Sequence, residues 1–201
     1  MAQIEAVEAA CYRIPLPVVL SDSTHGTITA FELVTARVRD RDGAVGTGYT
    51  YTVGTAGAAV VDLIGRYLAP VLRGEDGSRI ERCWQRMWWA LHYGGRGGTV
   101  SLAVSALDIA LWDLEARRRE RPLWRLLGGH DPRVDAYAGG IDLDFSLDDL
   151  LRQTEANLAK GFRAIKMKVG RPKLSEDVER VRAMREHLGA DFPLMVDANM
   201  R

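Results

Sequence analysis

The sequence predicts an α+β capping domain over residues 1–128, followed over 129–201 by the first part of a (β/α) TIM-type barrel that stops after its third strand. Three observations predict it. Turn-punctuated, β-branched runs open the chain, and runs with helical period fill its middle. From about residue 133 strand and helix patterns alternate at a spacing of roughly 30 residues, the rhythm of a parallel sheet or barrel.

Residues 3–14 and 30–39 are rich in β-branched and apolar side chains. Arg41-Asp42-Gly43 marks a hairpin, with Gly46–Val53 as the return strand. Between the first two strands, Leu20–Gly26 reads as a polar surface loop of the kind that often carries function. Val60, Leu63, Ile64, Tyr67 and Leu68 then recur at helical spacing within 57–73. Ile80, Cys83, Trp84, Met87, Trp88 and Leu91 form a nearly unbroken apolar stripe within 79–92. The aromatic part of that stripe, with Trp89, reads as core or domain interface rather than as a base-stacking platform. The glycines of His92–Gly98 break the pattern as a tight interhelix turn, since they lack the pattern of a phosphate loop. A longer helix, roughly 100–119, carries Leu102, Ala106, Ile109, Ala110 and Leu114 on one face; Pro122 ends it and Leu126–Gly129 closes the segment. Strands followed by a run of helices are α+β grammar.

Beyond residue 133 the grammar changes. Val134–Tyr137 reads as a short strand. Ser146 caps a helix over 147–160, with Asp149 at the third position and Gly161 as its stop. Ala164–Val169 is a strand, 176–188 a helix stopped by Gly189, and Leu194–Asp197 another strand. A complete eight-unit barrel takes ~250 residues. Residues 133–201 supply about two units and a third strand, so the expectation is a truncated chain with an open sheet edge and an exposed apolar face.

Composition bounds the function. A hydrophobic share of 47% and a charged share of 27% are those of an ordinary soluble globular protein. The net charge is zero, which argues against a broad electrostatic footprint on nucleic acid. The basic cluster Arg117-Arg118-Arg119 with Arg121 lies at a helix end, where it suits the helix dipole as a solvated terminus. Cys11 and Cys83 are too few and too far apart for a disulfide framework or a CxxC metal site, and read as small core residues. The first residues lack a signal-peptide pattern, and no apolar run reaches the ~18 residues of a membrane span. A soluble, cytoplasmic protein with no membrane partner is expected.

The residues that carry chemistry lie at the strand ends. Lys166 and Lys168 stand at i and i+2 on a strand, so their amines share a face. On an inward face two ammonium groups are costly without a task, and each would depress the other's pKa until one could serve as a base. On the solvent face of an edge strand, with Ile165, Met167 and Val169 inward, they would mean nothing; spacing leaves both open. Asp197 tips the balance, because it ends the next strand where a barrel's active-site rim lies. An Asp there is a natural oxygen ligand for Mg²⁺, and Asn199, two residues on, can hydrogen-bond a substrate oxygen. The proton beside a carboxylate is a very weak acid whose removal leaves an enediolate. Mg²⁺ stabilises that charge while a lysine takes the proton. His25 in the first loop, His130 in a linker and His187 on a helix face carry no role that spacing assigns.

Four segments resemble the mandelate racemase subgroup of the enolase superfamily along nearly the whole chain. They are Ser105–Leu114, Arg121–Gly129, Ile165–Gly170 and Met195–Asn199. Leu20–Gly26, Gly46–Thr52, His92–Gly98 and Ala136–Asp142 resemble most the branch of sugar-acid dehydratases and anhydrogalactonate cycloisomerases. Enolase-superfamily sites combine a lysine or histidine base with Mg²⁺. The resemblance implies a capping domain over a modified barrel, with Lys166 neutralising the substrate carboxylate, Lys168 as base and Asp197 as the first of three Mg²⁺ ligands. It places Asn199 and Tyr137 against the substrate, and the loop around His25 with the turn near Tyr51 over the site. The family's other acidic ligands and its His-Asp pair belong to later strands, beyond this sequence.

The leading expectation is a Mg²⁺-dependent lyase or isomerase taking a small-molecule carboxylate, a sugar acid, as a homo-oligomer. A racemase or epimerase would use the same half-reaction. A lysine-Schiff-base aldolase would use the lysines but leaves Asp197 unexplained. A truncated, non-catalytic interaction module is the remaining class.

Overall fold

Side-chain alternation explains the first sheet of the computed structural model, which describes residues 3–200. Strand β1 (Ile4–Asp22) and strand β2 (Gly26–Asp40) form a long hairpin, and β3 (Val45–Thr52) pairs antiparallel with β2, Val34 opposite Thr50 and Arg39 opposite Val45. Val34, Ala36 and Val38 on β2 alternate inward and are fully buried. On β3 the inward positions include Gly46 and Gly48, and the reason is steric. A Cβ on Gly48 would stand 2.0 Å from the carbonyl oxygen of Ala106, and one on Gly46 2.0 Å from that of Ala110. Backbone therefore packs on backbone between β3 and helix α4 (Gly98–Arg118).

The remaining helices finish this layer. Helix α1 (Gly57–Leu63) runs through a π-helical turn, Ile64–Leu68, into α2 (Ala69–Leu72). Pro70 lacks an N–H and would crowd the preceding turn, and the widened register accommodates it. Helix α3 (Ile80–Leu91) follows, then a 3₁₀ turn at His92–Gly94, α4, and a short α5 (Leu123–Leu126). Ile64, Leu68, Leu72, Cys83, Met87, Leu107, Leu111 and Leu114 pack with the β2 residues into one core. Arg118 bonds Asp40 and Asp42, Arg117 pairs with Asp113, and Arg119 with Glu115, so these arginines are tied into the fold.

The chain divides into two compact units. One holds the chain through Pro15 and Ala30–Pro132; the other holds Leu16–Thr29, the far end of the hairpin, with the chain from Arg133 on. In the second unit β4 (Ala138–Gly139), β5 (Ile165–Lys168) and β6 (Leu194–Asp197) are parallel, in that order. Helix α6 (Leu147–Ala159) links β4 to β5, and α7 (Leu174–Leu188) links β5 to β6, as parallel neighbours require. Ser146 caps α6, its hydroxyl accepting the Asp149 N–H at 3.1 Å. Ala138, Leu150, Ile165, Met167 and Met184 form this unit's own core.

Several sequence expectations change. The first two strands run into the segment expected to be a loop, leaving only Ser23–His25 as a turn. Val134–Tyr137 is irregular, and the strand begins at Ala138, where the N–H first finds a partner in the Ala164 carbonyl. Cys83 is buried as expected, but Cys11 is exposed on β1. Trp84 and Trp89 are exposed and Trp88 is half-buried, so the tryptophans are not core; Trp84 and Trp88 stack on each other on the outer side of α3. Helix α4 buries Val100, Ala103, Leu107 and Leu111 as well as Ala106, Ala110 and Leu114, whereas Ile109 is exposed, because sheet and helices cover it from more than one side. No helix among the described residues is long and apolar enough to cross a membrane.

Candidate active site

The two lysines converge. Lys166 and Lys168 stand opposite Met195 and Asp197 in the β5–β6 ladder. Lys168 Nζ donates to Asp197 Oδ2 at 2.8 Å, and Lys166 Nζ donates to the same oxygen at 3.0 Å. Lys168 is buried and Lys166 partly exposed, so neither occupies a fully solvated edge face. Met167 between them is fully buried on the opposite face, as a strand's two-residue period requires.

Asp197 is the electrostatic centre of this arrangement. The Lys168 ammonium, the Asn199 N–H (2.8 Å to Oδ1) and the Lys166 ammonium together hold its carboxyl far below the usual carboxylate range. The Asp197 carboxylate raises the pKa of Lys166, against a smaller opposing effect of burial. That differs from the expectation of mutual depression: for Lys166 the hydrogen bond to the neighbouring carboxylate outweighs the cost of burial, and its pKa rises.

The other expected residues are placed as follows. Lys166 Nζ lies 5.6 Å from the centre of the Tyr137 ring, over its face. Asn199 is exposed in the left-handed conformation, φ 56°, which asparagine tolerates and which turns its N–H back onto Asp197. The hairpin tip meets the same strand ends, since Ser23 Oγ donates to the Ala198 carbonyl at 2.6 Å. His25 on that tip is bonded to Asp22, Nδ1 lying 2.9 Å from Oδ2. Burial opposes ionisation of Asp22, but the N–H groups of His25 and Thr24 and the His25 ring outweigh it and lower the Asp22 pKa. Tyr51 belongs to the first unit, exposed on β3 with its ring edge-on to Phe31 at 5.6 Å. Asp197 offers hard carboxylate oxygens, and among the described residues no cluster of three or more His, Cys, Asp or Glu side chains forms a complete metal shell.

Sequence reading missed Asp142 and Arg180. Asp142 is 1% exposed and accepts the Lys168 N–H at 2.9 Å. Arg180 is 5% exposed and donates to the Asp142 and Phe145 carbonyls at 2.9 and 2.7 Å. Arg180 sits in a strongly charged helix, where nothing local marks one arginine as buried.

Comparison with known proteins decides the family. Residues 4–128 match the model described as the mandelate racemase/muconate lactonizing enzyme N-terminal domain, and 149–201 match the enolase C-terminal domain-like model. The chain belongs to the mandelate racemase/muconate lactonizing enzyme family. Within that family it is 60% identical, over 98% of its length and 55% of the relative's, to a 3,6-anhydro-alpha-L-galactonate cycloisomerase of Streptomyces coelicolor. It is 37% identical, over 99% of itself and 51% of the relative, to an L-talarate/galactarate dehydratase of Salmonella typhimurium. A solved structure, that of a racemase from Streptomyces coelicolor with bound magnesium, superposes with a TM-score of 0.96 at 60% identity, covering 98% of this chain and 55% of that one. The Salmonella dehydratase, liganded with Mg and L-lyxarohydroxamate, superposes with a TM-score of 0.91 at 36% identity, covering 98% and 52%. The chain thus spans about half the length of the curated relatives it matches.

Proposed function

We propose that this chain supplies the proton-abstracting part of a Mg²⁺-dependent lyase or isomerase acting on a sugar acid. The observation that carries this reading is the convergence of Lys166 and Lys168 on one oxygen of Asp197 across adjacent strand ends. Such a cluster in a structural role would need only one cation per carboxylate. Two amines on the face of a third charged group suit a substrate that arrives with its own carboxylate.

Asp197 fits a metal ion as one donor, being ionised, partly exposed and placed at the end of β6. Mg²⁺ bound there would supply charge stabilisation for an enediolate. Lys166, whose charged form is favoured, neutralises the substrate carboxylate. Lys168, on the buried side of the pair, is assigned to take the proton from the adjacent carbon. Asn199, Tyr137 and His25 are assigned to the substrate's remaining oxygens, and Tyr51 is assigned to the same task on the resemblance alone.

The finer reading, dehydration or cycloisomerisation of a sugar acid, is supported by the names of the relatives at 60% and 37% identity. Racemisation or epimerisation is a second reading, favoured by the Streptomyces neighbour described as a racemase. Both share the half-reaction at Lys168. The test is exchange of the α-proton of sugar acids with solvent deuterium in the intact gene product, with Mg²⁺ affinity measured calorimetrically on the same sample. Lys168→Ala should abolish exchange and leave Mg²⁺ binding nearly intact, whereas Asp197→Asn should weaken Mg²⁺ binding. Unchanged exchange in Lys168→Ala would sink the assignment of the base.

A further inference from the structure

Lys168 is held through its backbone as well as through its amine. In a regular parallel ladder its N–H would meet a carbonyl of the neighbouring strand, but β4 ends at Gly139. The N–H donates instead to Asp142 Oδ1 at 2.9 Å. The second Asp142 oxygen accepts from Gln153 Nε2 at 2.8 Å. Arg180 Nη2 stands 3.8 Å from Oδ1 while donating to the Asp142 backbone carbonyl at 2.9 Å. Burying a carboxylate and a guanidinium together is costly, and a plain backbone carbonyl could have completed the ladder without that cost. Room for the carboxylate depends on Gly140, where a Cβ would lie 1.7 Å from Asp142 Oδ2.

The same residue is joined to the hairpin tip. Ser21 and Asp142 form a parallel bridge. The Ser21 N–H donates to the Ile141 carbonyl at 3.1 Å, the Leu143 N–H to the Ser21 carbonyl at 3.2 Å, and the Asp144 N–H to Ser21 Oγ at 2.8 Å. Asp22 follows directly, and His25 lies three residues beyond it. A second arginine steadies this segment, Arg171 donating to the Leu143 and Phe145 carbonyls at 2.9 and 3.1 Å.

We propose that Asp142, anchored by Arg180, is a positioning residue: it fixes the height of Lys168 along β5, and with it the aim of the amine, and ties that height to the seating of the hairpin tip. The inference rests on Lys168 being the proton acceptor. Two variants test it in the intact protein. Asp142→Asn keeps an oxygen for the Lys168 N–H, whereas Asp142→Ala removes it. Asp142→Ala should lower kcat for α-proton exchange by about tenfold to a hundredfold with KM changed by less than about threefold, because a misaimed base costs turnover rather than binding. Asp142→Asn should recover most of that loss. Hydrogen exchange of the Lys168 amide, read by NMR, should accelerate in Asp142→Ala and not in Asp142→Asn. Wild-type kcat in Asp142→Ala, or an equal loss in Asp142→Asn, overturns the proposal. Absence of exchange in the wild-type protein defeats the proton-abstraction reading instead. The amide then decides the positional link, and equal rates in the wild-type and Asp142→Ala proteins would refute it.

Discussion

Asp22 and Asp197 show how much a single carboxylate depends on what donates to it. Asp197 gathers two ammonium groups and a backbone N–H at a partly exposed strand end, and Asp22 gathers two backbone N–H groups and an imidazole while nearly buried. Both are acids depressed in the native state. The stabilisation such a group contributes is complete above the ordinary Asp value of ~3.9 and is lost as pH falls through the lower native value. Asp22→Asn should therefore lower stability at neutral pH and flatten the decline that sets in as pH falls below about 4. Urea midpoints measured across that range check it. Curves for variant and wild type that fall in parallel would show that the Asp22–His25 contact contributes nothing to folding.

Elements in this chain are decided by local signals where caps exist and by partners where they do not. Helix α6 was legible because Ser146, Asp149 and Gly161 mark both ends, and the Ser146 hydroxyl caps it as expected. Ser146→Ala should cost about 1 kcal/mol, read as a shift of the denaturant midpoint. Lys166, Lys168 and Asp197 were legible as a group because strand period and strand-end position are fixed by short segments. Val134–Tyr137 was not, since a strand there needs a partner and pairing with β5 begins only at Ala138. Nor were Asp142 and Arg180, whose roles arise from contacts 26 and 38 residues apart in sequence. The glycines of β3 carry the opposite lesson, since a turn-like composition hid a packing constraint. Gly48→Ala would drive a methyl into the α4 backbone and should destabilise by about 3 kcal/mol or more, the upper range for overpacking. A midpoint within experimental error of wild type would mean that α4 can move off the sheet.

At the scale of the whole molecule, the two units differ in how much of their apolar surface they cover. The first encloses its core between a sheet and the helices α1–α4, with Val34, Leu68, Met87 and Leu107 fully buried. The second has, among its described residues, a core of five buried side chains and leaves Val178 and Val196 about half exposed, with Leu174 77% exposed. These three line an open hollow of about 550 Å³ with Val181 on α7, Leu194 on β6 and Val169 just beyond β5. An exposed apolar face of this kind accompanies the parallel sheet, whose strands are ordinarily covered on both sides. The 201-residue chain should consequently bind the dye ANS. Val178→Lys with Val196→Lys should remove at least about half of that fluorescence while each change shifts stability by no more than about 0.5 kcal/mol, the usual range for exposed positions. The stacked pair Trp84–Trp88 and exposed Trp89 are the competing dye site on the first unit. If the double variant keeps its full ANS signal and a Trp89→Ser variant loses it, the accessible apolar surface belongs to α3 rather than to the hollow beside β6.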